Sequence, residues 1–238
     1  MRRPLPWAVV VVAAGLSRRL KSRVPKPFLP LKGRLNMIDL SLAAFRRVPG
    51  LAFAVVVTRP PFFTAALRCL ARARLPGLVV EGGAQREDSV LRGLLTLPEG
   101  VKAALIHDAA RPFVTPALVA RVLEGALAGG ACVPGLPVKD TVKEVRPDGR
   151  VLRTIDRARL ISVQTPQGFR PALILGAFLK VGRLRSRLTD DASVAEAAGF
   201  RVRAVPGDPL NFKVTTPEDL LRARQLLKHS PRRLQGAK

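Results

Sequence analysis

Short apolar runs alternate with longer amphipathic stretches along most of the chain. Runs rich in valine and isoleucine cover residues 7–14, 51–57, 77–81, 101–107 and 131–134. Continuous apolar runs of this length are typical of strands that are buried on both faces. The pattern therefore predicts strands that belong to one largely parallel sheet.

The segments between and after these runs have the period of amphipathic helices. Two of them open with a threonine followed by a proline, at Thr115 and Thr216, which suits the first turn of a helix. The predicted helices cover residues 37–47, 61–74, 86–96, 116–128, 171–181 and 217–228. Strands that alternate with helices predict an α/β fold, Rossmann-like, with a mostly parallel sheet and helices on both faces.

One segment, residues 138–157, breaks this alternation. It places β-forming and polar residues in turn on both sides of a Pro-Asp-Gly turn, which predicts an inserted β-hairpin. A two-stranded hairpin is marginal on its own, so we expect it to lean on another surface, such as a second subunit. We expect a single domain over residues 1–228 and a basic, disordered tail over residues 229–238.

Length and composition fit one α/β domain. The chain has 238 residues, of which 47% are hydrophobic, and no uncharged apolar run reaches the length of a membrane span. The apolar start between arginines resembles a secretory signal superficially, but we interpret it as the first strand and predict a cytoplasmic protein. Cys69 and Cys132 match no metal-binding spacing and are expected to be small buried residues.

The charge is strongly basic: 41 Lys and Arg face 17 Asp and Glu, a formal net charge of +24. The cations are spread over every segment, and aromatic residues make up 5% of the chain, so no repeated base-stacking set is present. Nucleic-acid binding is therefore a minor alternative to a basic surface shaped by an arginine-rich composition. A small substrate rich in phosphate fits the same charge.

The first glycine turn is a candidate anion site, because ligands of α/β sheets bind beyond the carboxyl ends of the strands. Ala13, Ala14 and Gly15 are small enough for the main chain to approach a phosphate. The spacing matches neither the P-loop nor the dinucleotide fingerprint. Arg19 and Lys26 follow in the same loop, and the alternative is a solvated basic loop.

The sequence HDAARP, residues 107–112, places Asp108 directly at a strand end. A carboxylate there can meet a magnesium-bound nucleotide or a substrate hydroxyl, or it can simply cap a turn. His107 is expected to be a buried or supporting residue rather than a catalytic base. The other histidine, His229, lies in the basic tail, so there is no case for a Ser-His-Asp triad.

Several motifs together carry a family resemblance. AAGxSRR with a later PK, GGxxRxDSV, HDAARP, PVKDTVK, IDR, TPQ and NxKVTxPED follow in order over residues 8–220. This set resembles the 2-C-methyl-D-erythritol 4-phosphate cytidylyltransferase family of the non-mevalonate isoprenoid pathway. The resemblance implies a homodimeric, magnesium-dependent enzyme that transfers CMP from CTP to methylerythritol phosphate and releases pyrophosphate.

The resemblance also implies a role for each matching residue. CTP would be held by Ala13, Ala14, Gly15, Gly82, Gly83 and Ser89, with Arg19 and Lys26 stabilising the transition state. The acceptor would meet Asp108, Arg111, Thr141, Arg157, Thr165 and Lys213, with Arg157 and Lys213 orienting its phosphate. The magnesium ion would be held mainly by the CTP phosphates, with Asp108 as a further ligand, and the hairpin would be a dimerisation arm.

Three features depart from the family pattern. Ala84 stands where an acidic residue is common, Pro27 stands where glutamine is usual, and the charge of +24 is unusually basic. A ribitol 5-phosphate cytidylyltransferase is the nearest alternative enzyme, because the two acceptors are similar polyol phosphates. A protein that binds polyanions or nucleic acid on the same scaffold without catalysis is the alternative outside enzymes.

Overall fold

The structure is a computed structural model that describes residues 4–15, 24–182 and 188–229. The predicted role of Arg19 falls outside these ranges, and so does the predicted disordered tail, residues 229–238, except for its first residue. That residue, His229, is the last residue of a helix, so the prediction is wrong there. The strands are β1 Trp7–Val12, β2 Pro30–Lys32, β3 Leu35–Asn36, β4 Leu51–Thr58, β5 Gly77–Glu81, β6 Ala103–Asp108, β7 Ala131–Pro137, β8 Val142–Val145, β9 Val151–Ile155, β10 Ile161–Val163, β11 Gln167–Phe169 and β12 Arg203–Pro206. The helices are α1 Met37–Arg46, α2 Phe63–Ala73, α3 Arg86–Leu94, α4 Pro116–Gly129, α5 Pro171–Val181, α6 Asp191–Ala197 and α7 Pro217–His229.

A central sheet has eight strands within the described ranges, in the order β10-β7-β11-β6-β1-β4-β5, with β12 on β7. Strand β11 lies antiparallel between β6 and β7, and β10 is antiparallel to β7. All other pairs in this sheet are parallel, so every strand except β10 and β11 runs in one direction. The predicted mostly parallel sheet is confirmed.

The packing of the β1 valines on both faces of the sheet explains why this strand is one continuous apolar run. Val9 and Val11 pack with α1, α2 and α4 on one face of the sheet. Val10 packs with α3, α5 and α6 on the other face. Because both faces are covered, neither set of alternate residues has to be polar. The predicted helices on both faces are confirmed.

The predicted elements lie close to the observed ones, and the misses share one property. Helix α5 matches its prediction, and the others differ by one or two residues at their ends; a 3-10 turn, Pro60–Phe62, precedes α2. The missed elements, β2, β3, β10, β11, β12 and α6, have seven residues or fewer. Over so few residues an apolar period is hard to recognise.

The predicted hairpin is present as β8 and β9, a two-stranded sheet of its own. It exposes apolar side chains: Val145 is 55% exposed, Val151 59% and Leu152 48%. An isolated ribbon with such side chains has too little buried surface to be stable alone. The hairpin is therefore confirmed, and the surface expected to cover it stays a prediction.

Both cysteines are buried, as predicted. Burial raises the pKa of Cys69 to about 12, so its thiol stays protonated. Across the described residues, none of the helices is both long and apolar enough for a membrane span. The cytoplasmic location stays a prediction.

Candidate functional site

A cavity of about 490 Å³ opens at the carboxyl ends of β1 and β6. The two strands are parallel neighbours in which Val12 lies opposite Asp108, so the segments that follow them share one edge of the sheet. A cavity at this edge is where open α/β sheets bind ligands. Eight residues predicted for the site line it: Ala13, Ala14, Gly15, Lys26, Gly83, Ser89, Asp108 and Lys213.

The loop from β5 to α3 packs against the first glycine turn. A Cβ atom on Gly82 would lie 2.4 Å from the Cβ atom of Ala14, so this approach requires glycine. The Ser89 hydroxyl accepts from the Gly83 N–H at 3.0 Å and donates to the Gln85 carbonyl at 3.1 Å. Ser89, which was predicted to bind CTP, therefore also fixes the shape of this loop. Ala84 lies in the same loop and lines the cavity.

Asp108 lies between two cations. Arg86 donates from Nε to Oδ1 at 3.1 Å, and Lys213 Nζ lies 2.7 Å from Oδ2. Burial alone would raise the pKa of Asp108, but the charges of Arg86, Lys213 and Arg111 outweigh it and hold that pKa well below its usual range. Asp108 is therefore an ionised acceptor of hydrogen bonds at any physiological pH.

Arg86 was not predicted as a site residue. It lines the cavity and makes a two-pronged contact with Asp191, from Nη1 at 3.0 Å and from Nη2 at 2.8 Å. Burial raises the pKa of Asp191, and Arg86 opposes that shift. One signal was available in the sequence: Arg86 opens a helix, where the dipole disfavours a cation, so a specific anionic partner is expected.

His107 is fully buried behind Asp108, as predicted, and braces the turn that follows β6. The Thr165 hydroxyl accepts from the Asp108 N–H at 3.0 Å and lies 3.2 Å from His107 Nδ1, to which it can donate. The ring then donates from Nε2 to the Arg111 carbonyl at 3.1 Å. Burial lowers the pKa of His107 to about 4, so the ring is neutral.

Arg111 and Thr165 meet at a second unpredicted residue, Asn211. Asn211 Nδ2 donates to the Thr165 carbonyl at 2.8 Å, and Arg111 Nη1 donates to the Asn211 carbonyl at 2.9 Å. Among the described residues, Arg111 Nε and Asn211 Oδ1 are buried side-chain atoms without a hydrogen-bond partner. Buried polar atoms are nearly always paired, so these two are exceptions, and neither Arg111 nor Asn211 lines the cavity.

The hairpin residues do not join this cluster. Thr141 precedes β8 and Arg157 follows β9, and neither lines the cavity. Arg157 is exposed and donates to the Lys139 carbonyl. Within one described chain, the predicted acceptor site is therefore divided between the cavity and the hairpin.

The described cavity could hold a metal ion only together with a bound polyphosphate. In the described part of the chain, no group of three or more His, Cys, Asp and Glu side chains is placed to hold a metal. Asp108 is the one carboxylate among the described residues that line the cavity. Magnesium commonly takes one or two carboxylates and completes its shell with substrate phosphates and water. Asp108 would be one such ligand, and its two oxygens also contact Arg86 and Lys213.

A sequence model of the 2-C-methyl-D-erythritol 4-phosphate cytidylyltransferase family matches residues 7–229. The chain belongs to this family. The resemblance drawn from the motifs is thereby confirmed, and the match covers all the cavity residues.

Members of the cytidylyltransferase family are similar to this chain in both sequence and fold. The bifunctional enzyme IspD/IspF of Solidesulfovibrio magneticus is 45% identical over 224 residues, which cover 90% of this chain and 55% of that protein. The chain thus spans about half the length of the curated relatives it matches. The 2-C-methyl-D-erythritol 4-phosphate cytidylyltransferase of Thermus thermophilus superposes with a TM-score of 0.76 at 36% identity, covering 94% of this chain and 99% of that one.

A second solved structure, the 4-diphosphocytidyl-2C-methyl-D-erythritol synthase of Anaerococcus prevotii, superposes with a TM-score of 0.83 at 26% identity. The superposition covers 94% of this chain and 96% of that one.

Proposed function

We propose that the chain transfers CMP from CTP to 2-C-methyl-D-erythritol 4-phosphate, giving 4-diphosphocytidyl-2-C-methyl-D-erythritol and pyrophosphate. The observation that carries the proposal is the placement of Lys26 and Lys213 around one cavity with Asp108 between cations. Family membership supplies the substrate class. The described lining has three cations, Lys26, Arg86 and Lys213, and one carboxylate, Asp108, a balance that favours phosphorylated ligands.

The reaction requires charge neutralisation more than a strong base. An oxygen of the acceptor phosphate forms a bond to the α-phosphorus of CTP, and the bond from that phosphorus to the bridging oxygen breaks, releasing pyrophosphate. Both reactants are anions, so positioning and cations supply most of the catalysis. At an effective dielectric near 20, a cation about 4 Å from a phosphate oxygen contributes roughly 4 kcal/mol.

The cations divide into two groups in this proposal. Lys26, with Arg19 of the same loop, binds the triphosphate and the charge that develops on the leaving pyrophosphate. Lys213 and Arg111 bind the acceptor, whose hydroxyl groups donate to Asp108. Ala13, Ala14 and Gly15 are small enough for the triphosphate to approach the main chain, and Gly82, Gly83 and Ser89 meet the cytosine and ribose. The N–H groups of Ala13, Gly82 and Gly83 donate to Val57, Thr58 and Ser89, so these three residues contribute by their small size. Asp108 would hold Mg²⁺ together with the CTP phosphates, and the ion, when bound, neutralises those phosphates.

We further propose that the active form is a homodimer. Thr141 and Arg157 lie on the hairpin and away from the cavity, while the resemblance gives both to the acceptor site. A hairpin that reaches a second copy of the chain would bring them to the partner's cavity and cover the exposed Val151 and Leu152. In this arrangement residues 1–228 form one catalytic domain with 138–157 as its arm.

A pyrophosphate-release assay with CTP, magnesium and either acceptor tests the function. We expect turnover with 2-C-methyl-D-erythritol 4-phosphate and much slower turnover with ribitol 5-phosphate. Faster turnover of ribitol 5-phosphate would reassign the acceptor. No pyrophosphate with either acceptor, combined with salt-sensitive binding of DNA or RNA, would instead support the non-catalytic alternative.

A further inference from the structure

Asp191 is a buried carboxylate outside the cavity that contacts a residue inside it. Its side chain is 1% exposed, and both of its oxygens accept from Arg86, at 3.0 and 2.8 Å. The third contact of the same guanidinium, from Nε, goes to Asp108. Arg86 therefore bridges Asp108, which lines the cavity, and Asp191, which is buried outside it.

We propose that Asp191 is a positioning residue for the acceptor end of the site, acting through Arg86. The proposal rests on the proposed cytidylyltransferase function. Asp191 holds the guanidinium plane by two contacts, which leaves Nε facing Oδ1 of Asp108. The other oxygen, Oδ2, is then turned toward Lys213, 2.7 Å away. The direction in which Asp108 and Lys213 face the acceptor is thus set by a side chain that does not touch it.

Asp191 is itself held rigidly. It is the first residue of α6, and α6 is fixed to strand β11 by Gln167. Gln167 Nε2 donates to Asp190 Oδ2 at 2.7 Å, and Gln167 Oε1 accepts from the Ala192 N–H at 2.9 Å. The anchor of Arg86 therefore belongs to the sheet that carries Asp108, since β11 pairs with β6. A site whose supporting residues are fixed in this way is pre-organised for charged substrates.

Stability alone is a poor reason for such an arrangement. Taking ions out of water costs about as much as their attraction returns, so a buried ion pair is weak evidence for stability. Without Asp191, the guanidinium has a single carboxylate to bind, and it competes with Lys213 for Asp108. We therefore expect the loss of Asp191 to disturb acceptor binding more than CTP binding.

The substitution Asp191→Asn tests this, because it keeps the size of the side chain and removes its charge. We expect kcat/KM for 2-C-methyl-D-erythritol 4-phosphate to fall about 10- to 100-fold, as for a small misplacement of a catalytic group. The KM for CTP should rise less than the KM for the acceptor, because Lys26 and the first glycine turn, which are proposed to bind most of the triphosphate, stay in place. Steady-state pyrophosphate release with each substrate varied in turn gives both values.

A matched control is available in Asp39, which also accepts two hydrogen bonds from one arginine, Arg72. Arg72 Nε and Nη2 each donate to Asp39 at 2.9 Å, and the Asp39 side chain is 3% exposed. Asp39 lies on α1 and does not line the cavity. Asp39→Asn should lower the thermal midpoint as Asp191→Asn does, but leave kcat and both KM values unchanged.

A double variant shows whether Asp191 acts through Arg86. In an Arg86→Met background, Asp191→Asn should cause no further loss of kcat/KM for the acceptor. Additive losses, or an Asp191→Asn variant that loses thermal stability while keeping wild-type kinetics, would overturn the proposal. If Asp191→Asn does not fold, Arg86→Lys replaces it, because lysine keeps the charge but cannot bridge both carboxylates. Wild-type acceptor kinetics in that variant would also overturn it.

The failure of the underlying function looks different. In that case the wild-type chain itself releases no pyrophosphate with 2-C-methyl-D-erythritol 4-phosphate. A failure of the Asp191 proposal leaves wild-type turnover intact.

Discussion

His107 connects the stability of the protein to the shape of its site. The neutral ring links Thr165 to the Arg111 carbonyl and so fixes the turn that carries Asp108. A protonated ring could not accept from Thr165, and the fully buried charge would lack a solvated partner. Protonation of His107 at low pH therefore destabilises the fold at the turn that carries Asp108.

This gives a prediction for pH. The pKa of His107 falls from 6.5 in the unfolded chain to about 4 in the folded one, so the unfolded state binds the extra proton between these values. The contribution of His107 to stability is complete above pH 6.5 and is lost as the pH falls toward 4; the full loss is roughly 3 kcal/mol. Urea unfolding at pH 7 and pH 5 should show about half of this decline in the wild type and much less of it in His107→Gln.

Asp108 affects the stability only at lower pH, so it does not contribute to the change between pH 7 and pH 5. Its pKa is depressed, so its contribution is present above the ordinary carboxylate range and is lost only as the pH falls below about 4. An equal decline from pH 7 to pH 5 in the wild type and in His107→Gln would contradict the assignment to His107.

At the residue scale, the sequence predicts those site residues that a strand end delivers. Asp108, Ala13 and Ala14 follow apolar runs directly, so their meeting could be inferred from parallel pairing alone. Asp191 could not be found in this way, because its contact with Arg86 spans 105 residues and depends on a helix too short to show a clear period. Pairings of this kind are set by tertiary packing.

At the scale of elements, the site depends on how closely the β5–α3 loop approaches β1. Gly82→Ala would place a Cβ atom 2.4 Å from Ala14 Cβ and 3.0 Å from Ser89 Oγ. The loop must then move away from the first glycine turn, where the triphosphate is proposed to bind. We expect the KM for CTP to rise about tenfold or more, with a smaller change in the KM for the acceptor; steady-state kinetics with each substrate varied in turn measures both.

Gly176→Ala is the matched control for this substitution. Gly176 lies within α5, and a Cβ atom there would meet no atom within 4 Å. Replacing an interior helical glycine by alanine should stabilise the chain by up to about 1 kcal/mol, without a change in either KM. A Gly82→Ala variant with the kinetics of Gly176→Ala would show that the close approach to Ala14 is not needed for CTP binding.

The elements themselves were predictable where they are long and regular. Helix α4 has Thr115 as its N-cap, with the Leu118 N–H donating to Thr115 Oγ1, and Pro116 in its first turn, as its sequence indicated. Strands β10 and β11 have three residues each and run against the direction of the sheet. Strand β11 is held between β6 and β7, and β10 pairs with β7 at the edge of the sheet, so neighbouring strands rather than a local pattern determine their pairing.

At the scale of the whole molecule, the charge of +24 is distributed unevenly between interior and surface. The buried carboxylates Asp39, Asp108 and Asp191 each face an arginine, so the described core is close to neutral around them. The surplus of cations is therefore carried mainly by the surface. Such a surface raises the local concentration of anionic substrates, and this effect weakens as the ionic strength increases.

The hairpin carries the last prediction, which concerns assembly. A hairpin strand that exposes Val151 and Leu152 to solvent should lose its partner surface when a charge is placed there. We expect the wild type to be a dimer by light scattering after size exclusion, and Val151→Asp combined with Leu152→Asp to shift it toward a monomer. Acceptor turnover should fall with the dimer, because Thr141 and Arg157 would no longer reach a neighbouring cavity.

Leu179→Asp provides the control for assembly, since Leu179 is 81% exposed on α5 and lies outside the hairpin. That variant should remain a dimer with wild-type kinetics. A wild type that is monomeric while it turns over the acceptor would remove the arm from the mechanism. Thr141 and Arg157 would then have to act within one chain, which requires the hairpin to fold back over its own cavity.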